Sequence, residues 1–482
     1  MTFDPAILVL GPIVAGLAAF VFPRIASWAA LLAALGVSWA AITLAGDVVQ
    51  FGTLSVAIGG WAAPLGIVLR ADGLAATMIA MTALVGLAVT VQAALATKKQ
   101  AAKQAASFWP LWLMLWSGLN TLFLSTDLFN LFVMLEIIGL AAAGLAALSG
   151  KRAALEAALR YLLLGLFASL LYLFGVALLY VAYGTLEIGQ LARMIGGEPA
   201  ALIAMALMFA GLAFKAALFP LHGWLPPAHG NAPGAASAIL SALVVKGAFY
   251  LMLRLWIDLY GPGGVAGDAA AIVLGIAGAG AILWGGRQAL RAERLKLLVA
   301  YSTVAQIGYL FLAFPLLADA GSAAWRAALY LALAHALAKA GLFLACDRVI
   351  SMQGNDRIDF LSSTQPGARI IQLTIALAAV SLIGLPPSGG FIGKWLLIEA
   401  AFQGSNRIWV TVVVVCGTLL SAAAMFRLLA RFFTSSETTP NSRPQAVATR
   451  SDLVPFVLVV AAIALGFAAP PLLALMQVGA AA

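Results

Sequence analysis

Six ionisable side chains lie within apolar stretches of the sequence, where a charge is costly. They are Glu136, Lys215, Lys246, His335, Lys339 and Lys394. An ionisable group at bilayer depth costs about 3 kcal/mol or more, so each of the six is expected to have a function. Carboxylates, amines and imidazoles exchange protons, and a series of them suits proton hopping through intervening water. A binding pocket for an organic solute is instead expected to converge on one place.

Glu136 and Lys215 offer a carboxylate and an amine that could hold or release a proton together. Glu136 lies in the middle of a predicted helix with apolar residues on both sides. Lys215 comes five residues before Pro220, which leaves backbone carbonyls without amide partners. Burial favours the neutral form of a lysine, whereas a nearby carboxylate favours its charged form. A simple ion pair between helices is the alternative for Glu136, and Asp127, which opens the same helix, is better explained as its N-cap.

Three further candidates follow in the sequence: Lys246, His335 and Lys339. Lys246 is about a dozen residues inside its predicted helix, too deep for its amine to reach the membrane interface by snorkelling. His335 and Lys339 are four residues apart and therefore share one face of a helix. An imidazole can relay protons near neutral pH, and a neighbouring lysine would tune it; a purely structural histidine is the alternative.

The composition predicts the elements that must position these residues. The chain has 482 residues, of which 63% are hydrophobic and 9% are charged, and its mean hydropathy is +1.04. Apolar stretches of about 20 residues, each long enough to cross a bilayer core, recur from end to end. An ordinary globular enzyme is excluded, and we expect an all-α integral membrane protein with about 14 transmembrane helices. The predicted spans are 5–22, 26–45, 73–95, 106–125, 128–148, 159–184, 200–218, 234–258, 269–286, 295–316, 323–346, 370–400, 408–430 and 454–474.

Two of the predicted helices are broken. The seventh runs into Pro220, Pro226 and Pro227, and the twelfth contains the Gly- and Pro-rich stretch 384–390. Ionisable residues lie at or beside both breaks, namely His222, His229 and Lys394. The breaks occupy corresponding positions in helices 4–8 and 9–13, and an odd number of helices inverts the second stretch relative to the first. Inverted repeats with paired broken helices are typical of transporters, whose breaks face a water-filled interior.

This pattern predicts a division of the chain into five parts. Helices 1–3 occupy residues 1–105, the first inverted repeat 106–258 and the second 269–432. A flexible polar loop follows at 433–452, and the last helix lies within 453–482. The first apolar segment lacks the basic start of a cleaved signal and is expected to be a retained helix.

Basic residues predict the orientation. When each loop is numbered by the helix that it follows, the odd loops carry 18 Lys and Arg, including Lys98 and Lys99, and the even loops carry 5, including Arg254. The positive-inside rule then places the odd loops in the cytoplasm and both termini outside, in a multi-pass protein of the bacterial inner membrane. The net charge of +9 follows from this topology and requires no nucleic acid partner.

The chain offers no site of its own for a cofactor or a metal. Cys346 and Cys416 lie in separate apolar segments, without metal-ligand spacing or a disulfide framework. The sequence contains no soluble domain and no nucleotide-binding signature. Catalysis on a bound cofactor would need partner subunits, so we do not expect this chain to be an enzyme by itself.

Several motifs between about residues 70 and 430 are specific in combination. They are Asp127-Leu-Phe-Asn with Glu136, Phe214-Lys215 with Phe219-Pro-Leu-His222-Gly-Trp-Leu-Pro226, Lys246-Gly, Lys296-Leu-Leu-Val-Ala-Tyr-Ser-Thr-Val-Ala-Gln306-Ile-Gly, His335 with Lys339, and Gly384-Leu-Pro-Pro-Ser-Gly-Gly-Phe-Ile-Gly-Lys394. With them the sequence resembles the antiporter-like subunits shared by respiratory complex I and the multisubunit Mrp cation/proton antiporters. The resemblance implies fourteen helices, two inverted five-helix repeats and breaks in helices 7 and 12.

The resemblance also implies roles for the candidate residues. Glu136 and Lys215 would form the ion pair that gates one half-channel. Lys246 would pass the proton toward the centre, where His335 and Lys339 would continue the path.

The resemblance also implies a terminal group for the second half-channel. At some positions, however, the sequence departs from the family pattern. Lys394 would be the terminal group of that half-channel, where one complex I subunit carries Glu. Lys296 lies near a cytoplasmic helix end, where snorkelling explains it as well as proton transfer does. Many relatives have Asp where Pro227 stands, so hydration or cation access is expected to differ here. The chain also ends after helix fourteen, without the long lateral helix of the largest members, which favours the D-type subunit of an Mrp antiporter.

We therefore predict a proton-translocating, antiporter-like subunit of a hetero-oligomeric membrane complex. In an Mrp-type assembly it would exchange Na⁺ or K⁺ for protons. The main alternative is a proton-pumping membrane-arm subunit of a complex I-like or hydrogenase-like redox complex. A non-conducting scaffold subunit and a stand-alone solute transporter are alternatives of other classes, and the polypeptides that co-purify would distinguish them.

Overall fold

The structure, a computed structural model, describes residues 4–96, 102–261, 267–360, 369–433 and 449–479. Its long helices are α1 (Ala6–Val21), α2 (Ala26–Phe51), α3 (Gly73–Ala96), α4 (Ala102–Leu124), α5 (Leu128–Ala147), α6 (Arg152–Tyr183), α7 (Pro199–Lys215), α8 (Leu225–Asn231), α9 (Gly234–Tyr260), α10 (Gly267–Arg291), α11 (Leu295–Phe311), α12 (Ser322–Gln353), α13 (Arg369–Ile383), α14 (Gly389–Ala401), α15 (Arg407–Phe433), α16 (Leu453–Ala464) and α17 (Ala469–Gln477). Two helices of a single turn cover Ile188–Leu191 and Leu317–Ala320.

The predicted helical membrane architecture is confirmed. Within the described ranges, ten helices are long and apolar enough to cross a membrane, and shorter apolar helices accompany them. Each predicted span coincides with one helix or with a broken pair of helices. The total of 14 crossings and the inverted relation between the two five-helix stretches stay predictions.

Several helices extend beyond their predicted ends. Helix α6 begins at Arg152 rather than at 159, and α12 continues to Gln353 rather than ending at 346. These two helices end at Gly184 and Gly354, both in the left-handed conformation that glycine adopts without strain. The extension of α12 therefore stops at the next glycine, whereas α6 is extended at its start and ends within one residue of its prediction. The predicted last helix is instead α16 and α17, with a 3₁₀ turn between them.

A two-stranded hairpin, not predicted from the sequence, lies between α2 and α3. Strands β1 (Leu54–Ala57) and β2 (Val68–Ala71) pair antiparallel. The hydroxyl of Thr126 donates a hydrogen bond of 3.0 Å to the carbonyl of Val68, which ties the hairpin to the start of α5.

The centre of the bundle is formed by α9, α11 and α12. The most apolar 18-residue windows of α9 and α12 are completely buried, whereas those of α2, α6 and α15 are only one-third buried. The outer helices present large apolar side chains, among them Trp28, Trp39 and Val181. Such an arrangement is the expected one for helices that face lipid or other membrane subunits. The ionisable residues on α9, α11 and α12 are therefore the most deeply enclosed.

Both predicted breaks are present. Helix α7 ends at Lys215 and the next helix, α8, begins at Leu225; α13 ends at Ile383 and α14 begins at Gly389. Helix α9 also contains two π-helical segments, Leu240–Val244 and Trp256–Tyr260. Because π-helical turns lack the regular backbone hydrogen bonds of an α-helix, they occur often at functional sites.

Part of the predicted polar loop 433–452 lies outside the described residues, as do Lys98 and Lys99. The end of that loop is described: Thr449 and Asp452 form a capping box before α16. Asp452 also accepts a hydrogen bond of 2.8 Å from Arg348 on α12, which attaches this segment to the central helix.

Candidate functional site

Glu136 and Lys215 form the predicted ion pair. Lys215 is the last residue of α7, and its Nζ lies 3.5 Å from Oε1 of Glu136 on α5. The same carboxylate oxygen accepts a hydrogen bond from the hydroxyl of Ser169 on α6. Lys215 also donates to the carbonyl of Leu135 at 3.4 Å. Each partner therefore has a second partner of its own, so the pair can separate without leaving either group alone.

Two cavities flank this pair. One, of about 20 Å³, reaches from Lys215 to Gly247, the residue that follows Lys246 on α9. That volume is enough for about one water molecule. The other, of about 10 Å³, lies beside Glu136 and is lined by Leu140, which is 54% exposed on the lateral surface. The pair thus lies between the interior of the bundle and its outer face.

At the first helix break a neutral side chain donates a hydrogen bond to a backbone carbonyl. The indole N–H of Trp224 donates a hydrogen bond of 2.9 Å to the carbonyl of Phe214. The Trp224 ring stacks on Tyr161, with 4.4 Å between ring centroids. The same Phe214 carbonyl also accepts a hydrogen bond of 3.0 Å from the backbone amide of Ala217, so it is satisfied twice inside the protein, where membrane depth requires a partner.

Lys246 is completely buried and bonds to its own helix. Its Nζ donates a hydrogen bond of 2.5 Å to the carbonyl of Ser241, which lies in the first π-helical segment of α9. The hydroxyl of Ser241 is hydrogen-bonded to that of Thr303 on α11 at 2.9 Å. The π-helical turn therefore connects Lys246 with α11.

Lys339, on α12, also bonds to α11. Its Nζ donates a hydrogen bond of 2.8 Å to the carbonyl of Val299, and it also contacts the hydroxyl of Ser302. The same Val299 carbonyl accepts a hydrogen bond of 3.1 Å from Thr303. Lys246 and Lys339 thus each bond to a backbone carbonyl, and the hydroxyls of Ser241 and Thr303, bonded to each other, belong to the same helical turns as those carbonyls.

His335 lies on the same helix as Lys339 and is 2% exposed. Within the described part of the chain, neither ring nitrogen of His335 has a hydrogen-bond partner. Lys246, Lys339 and Lys394 all lie close enough to act on it electrostatically. The imidazole therefore has the two central lysines and the lysine of the second break as electrostatic neighbours.

Lys394 reaches back across the second break. Its Nζ donates to the carbonyl of Ile383 at 2.8 Å and to the hydroxyl of Thr418 at 3.2 Å. The amine also lies 4.5 Å from the centroid of the Tyr309 ring, a cation–π distance. Gln306 donates to the neighbouring carbonyl of Leu382 at 2.9 Å.

The buried lysines differ from most buried charges in lacking counter-ions. Among the described residues, no carboxylate lies within 4.0 Å of the amines of Lys246, Lys339 or Lys394. Such burial is costly for a charged amine, so these side chains do not serve to stabilise the fold. Their hydrogen bonds to carbonyls and hydroxyls suit groups that gain and lose protons.

The secondary candidates have distinct environments. Asp127 caps α5, since its Oδ1 accepts a hydrogen bond of 2.7 Å from the amide of Asn130. Lys296 does not extend to solvent: it is buried and its Nζ lies 2.6 Å from Oδ1 of Asp347. His222 stacks on Phe219 at 5.5 Å and is half-buried.

His229 is fully buried on α8. It stacks on Phe343 with 5.1 Å between ring centroids, and in the described ranges neither ring nitrogen has a hydrogen-bond partner. Among those same residues no group of three or more His, Cys, Asp and Glu side chains is arranged to hold a metal ion, and both cysteines are free.

The loop count includes basic residues that the structure places on helices, among them Lys296, Arg254 and Arg427. Arg254 does not lie in a loop but on α9, 8% exposed, and forms two hydrogen bonds of 2.6 and 2.7 Å with Asp72. Asp258 and Arg70 complete this cluster through a contact of 2.7 Å. The spacing of Lys246, Tyr250 and Arg254, four residues apart, could have indicated that they share one helix face.

The sequence reasoning also missed the hydroxyl partners. These are Ser169, Ser241, Ser302, Thr303 and Thr418. Only the adjacent hydroxyls at 302 and 303, inside an apolar helix, give a signal in the sequence.

The chain is similar to known membrane proteins in both sequence and fold. Residues 125–421 match the family model described as "NADH:quinone oxidoreductase/Mrp antiporter, TM". The chain is 35% identical to NADH-quinone oxidoreductase subunit N of Desulforudis audaxviator, over 92% of this chain and 88% of that one. It is 31% identical to the D subunit of the Na(+)/H(+) antiporter of Alkalihalophilus pseudofirmus, over 91% and 88%. The fold is similar to a chain in the Mrp complex from Dietzia sp. DQ12-45-1b, with a TM-score of 0.90, 27% identity and coverage of 100% of this chain and 97% of that one.

Proposed function

The chain belongs to the NADH:quinone oxidoreductase/Mrp antiporter family, and we propose that as one of its antiporter-like subunits it carries protons along its buried lysines within an Mrp-type cation/proton antiporter. The observation that carries the proposal is the pair of completely buried amines, Lys246 and Lys339, which among the described residues bond to carbonyls and a hydroxyl and have no carboxylate partner. Both amines lie at the centre of the bundle, Lys246 on the carbonyl of Ser241 and Lys339 on that of Val299, and the hydroxyl of Thr303 bonds to both of these residues. Together with His335 and the water-sized cavity beside Lys215, these amines give a proton successive binding sites, between which intervening water would carry it.

The Glu136–Lys215 pair acts as the gate of this path. At 3.5 Å the contact is longer than a good hydrogen bond, and Ser169 and the Leu135 carbonyl hold the two groups when they separate. Separation exposes each charge to a poorer environment, which favours proton transfer from the amine. A change of charge in a neighbouring subunit would move this balance, because the cavity beside Glu136 reaches the lateral surface.

The partners are other membrane subunits. One of the solved structures similar to this chain is a multisubunit membrane assembly. We propose that Na⁺ or K⁺ is exchanged for protons, by analogy with the Na(+)/H(+) antiporter to which the Alkalihalophilus relative belongs. A proton-pumping subunit of a redox complex is the second candidate, favoured by the 35% identity to a relative named NADH-quinone oxidoreductase subunit N. Polypeptides that co-purify in mild detergent distinguish these: small hydrophobic subunits support the antiporter, and iron–sulfur or hydrogenase-like subunits support the redox complex.

The proposed orientation places the basic loops in the cytoplasm and both termini outside, in a bacterial inner membrane. Its support is the excess of Lys and Arg in the odd loops. Lys151, exposed at the start of α6, offers a test. A cysteine at this position is expected to react with a membrane-impermeant maleimide in inverted vesicles and not in intact cells.

Arginine substitutions test the transport proposal. Arginine keeps the positive charge and the hydrogen-bond donors of lysine but does not release a proton in proteins. We expect Lys246→Arg and Lys339→Arg each to lower cation-driven proton transport in inverted vesicles at least tenfold while the complex still assembles. Removal of the gate by Glu136→Ala or Lys215→Ala is expected to abolish coupled transport.

The matched control is Lys151→Arg, the same substitution at an exposed position, which is expected to leave transport unchanged. Assembly is measured by the co-purification of the other subunits. Native transport in both central arginine variants and both gate variants would leave the scaffold interpretation in place and refute ours.

A further inference from the structure

A second carboxylate–lysine pair lies away from the gate, between the ends of α11 and α12. The Nζ of Lys296 is 2.6 Å from Oδ1 of Asp347. The two partners differ in exposure: the side chain of Lys296 is 8% exposed and that of Asp347 is 48% exposed. The carboxylate therefore stands between solvent and the buried amine.

Asp347 faces a cavity of about 360 Å³, the largest volume among the cavities described above. Its lining includes Gln92, Ser351 and Thr449 as well as Phe108, so polar and apolar surfaces alternate. A cavity of this size and polarity holds several water molecules. Lys296 is not part of the lining, so water in the cavity reaches the amine through Asp347.

On its inner side Lys296 adjoins the central path. Its Nζ donates a hydrogen bond of 3.0 Å to the carbonyl of Ala232. It lies three residues before Val299, about 4.5 Å along the helix axis, and the Val299 carbonyl accepts the hydrogen bond of Lys339. His229, whose ring nitrogens have no partner in the described ranges, has both Lys296 and Lys339 as electrostatic neighbours.

We propose that Asp347 and Lys296 admit protons from this cavity to Lys339, with His229 beside the transfer. This inference rests on the proposed function, because it supplies the path between the central lysines and water. A proton from the cavity binds the Asp347 carboxylate and neutralises it, which weakens its contact with Lys296. The Lys296 ammonium passes its own proton inward and then takes the proton of Asp347. One proton leaves the cavity, one reaches the central path, and the pair returns to its starting state.

A structural ion pair that only joins α11 to α12 gives different expectations. Arginine would replace Lys296 in such a pair, because it forms equally good or better ion pairs with carboxylates. Arginine cannot replace a lysine that must release its proton. The Lys296→Arg substitution therefore separates the two roles.

The experiment measures cation-driven proton transport in inverted vesicles that contain the complete complex. We expect Lys296→Arg and Asp347→Asn each to lower the rate at least fivefold, and Asp347→Glu to retain more than half of it. The matched control is Glu156→Gln, which removes one negative charge from an exposed ion pair of 2.8 Å with Arg152. That control is expected to transport at the native rate.

The outcomes separate this inference from the function on which it rests. Native rates in Lys296→Arg and Asp347→Asn, with Lys246→Arg inactive, overturn the entrance alone. Native rates in all three overturn the proposed function as well. If Lys296→Arg fails to assemble, the contrast between Asp347→Asn and Asp347→Glu decides, since equal rates in these two refute the entrance.

A labelling experiment tests the cavity without any transport. In a chain with Cys346→Ala and Cys416→Ala, Asp347→Cys is expected to react with a membrane-impermeant maleimide added to inverted vesicles. Absence of labelling there would overturn the aqueous cavity and with it the entrance.

Discussion

A lysine amine lies at each of the two helix breaks, and the two amines have different partners. At the first break the amine of Lys215 precedes the interruption and lies 3.5 Å from a carboxylate, that of Glu136. At the second break Lys394 follows the interruption, and among the described residues its Nζ bonds to carbonyls and a hydroxyl rather than to a carboxylate. The first site can therefore exchange a proton within a neutral pair, whereas the second site changes its net charge when it does so.

The two breaks also differ in which groups bond to the backbone carbonyls at the end of the interrupted helix. At the first break the carbonyl of Phe214 accepts from two neutral donors, the indole of Trp224 and the backbone amide of Ala217. At the second break Lys394 itself bonds to Leu382 and Ile383, at the carboxyl end of α13 where the helix dipole is negative. Lys394 is thus held by backbone dipoles and by the Tyr309 ring. The two breaks therefore differ in whether the amine of the proton carrier itself bonds to the carbonyls at the end of the interrupted helix.

The largest expected effect comes from replacing each lysine by methionine. Both Lys215→Met and Lys394→Met are expected to reduce transport to background, since each removes a proton carrier. Their stabilities should differ. Lys215→Met leaves the carboxylate of Glu136 without its counter-ion, at a cost of about 3 kcal/mol, whereas Lys394→Met removes a charge that has no counter-ion and costs little.

Thermal unfolding of the purified complex measures this difference. The second-site control is the double variant Glu136→Gln with Lys215→Met, which is expected to recover stability without recovering transport. A lower melting temperature for Lys394→Met than for Lys215→Met would contradict the contrast between the breaks.

A smaller effect is expected at the glycine that begins the second break. Gly384 has φ +85°, and a Cβ at this position would lie 2.9 Å from Cδ of Lys394. Gly384→Ala is therefore expected to strain the backbone by about 1 kcal/mol and to displace the lysine, lowering transport several-fold. Gly150, at φ +65° with nothing within 4 Å of the added atom, is the matched control.

Gly150→Ala should show the backbone strain without the loss of transport. The measurements are transport in vesicles and thermal unfolding of the same preparations. If both alanine variants transport equally well, Lys394 does not depend on the geometry of the break.

The sequence predicted the helices, the breaks and the ionisable residues for a physical reason. Charges in apolar stretches and prolines in helices are exceptions to local rules, so each is visible without knowing the fold. The hydroxyl partners are not exceptions of this kind. Serine and threonine occur commonly in membrane helices, where they bond to their own backbone, and nothing marks Ser241 or Thr303 as partners across 62 residues.

The environment of Arg254 was also not predictable, because its partner lies far away in the sequence. An arginine near a predicted helix end is expected in a loop. Arg254 is instead buried on its helix, because a carboxylate partner lies beside it there. That partner, Asp72, lies 182 residues away, so the contact depends on the packing of α9 against the start of α3. Lys296 was ambiguous for the same reason, because Asp347 becomes its neighbour only when α11 packs against α12.

The smallest expected effect concerns the neutral donor at the first break. Trp224→Phe retains an aromatic ring to stack on Tyr161 and removes the indole N–H, which leaves the Phe214 carbonyl with only the backbone amide of Ala217. Side-chain hydrogen bonds in membrane proteins are worth about 0.6 to 1.7 kcal/mol, so a modest fall in melting temperature is expected. Transport should fall less than twofold, because no proton carrier is lost. Trp395→Phe, at an indole that is 58% exposed, is the matched control and should change neither quantity. A loss of transport in Trp224→Phe as large as that in Lys394→Met would mean that the helix end itself, rather than the amine, limits both breaks.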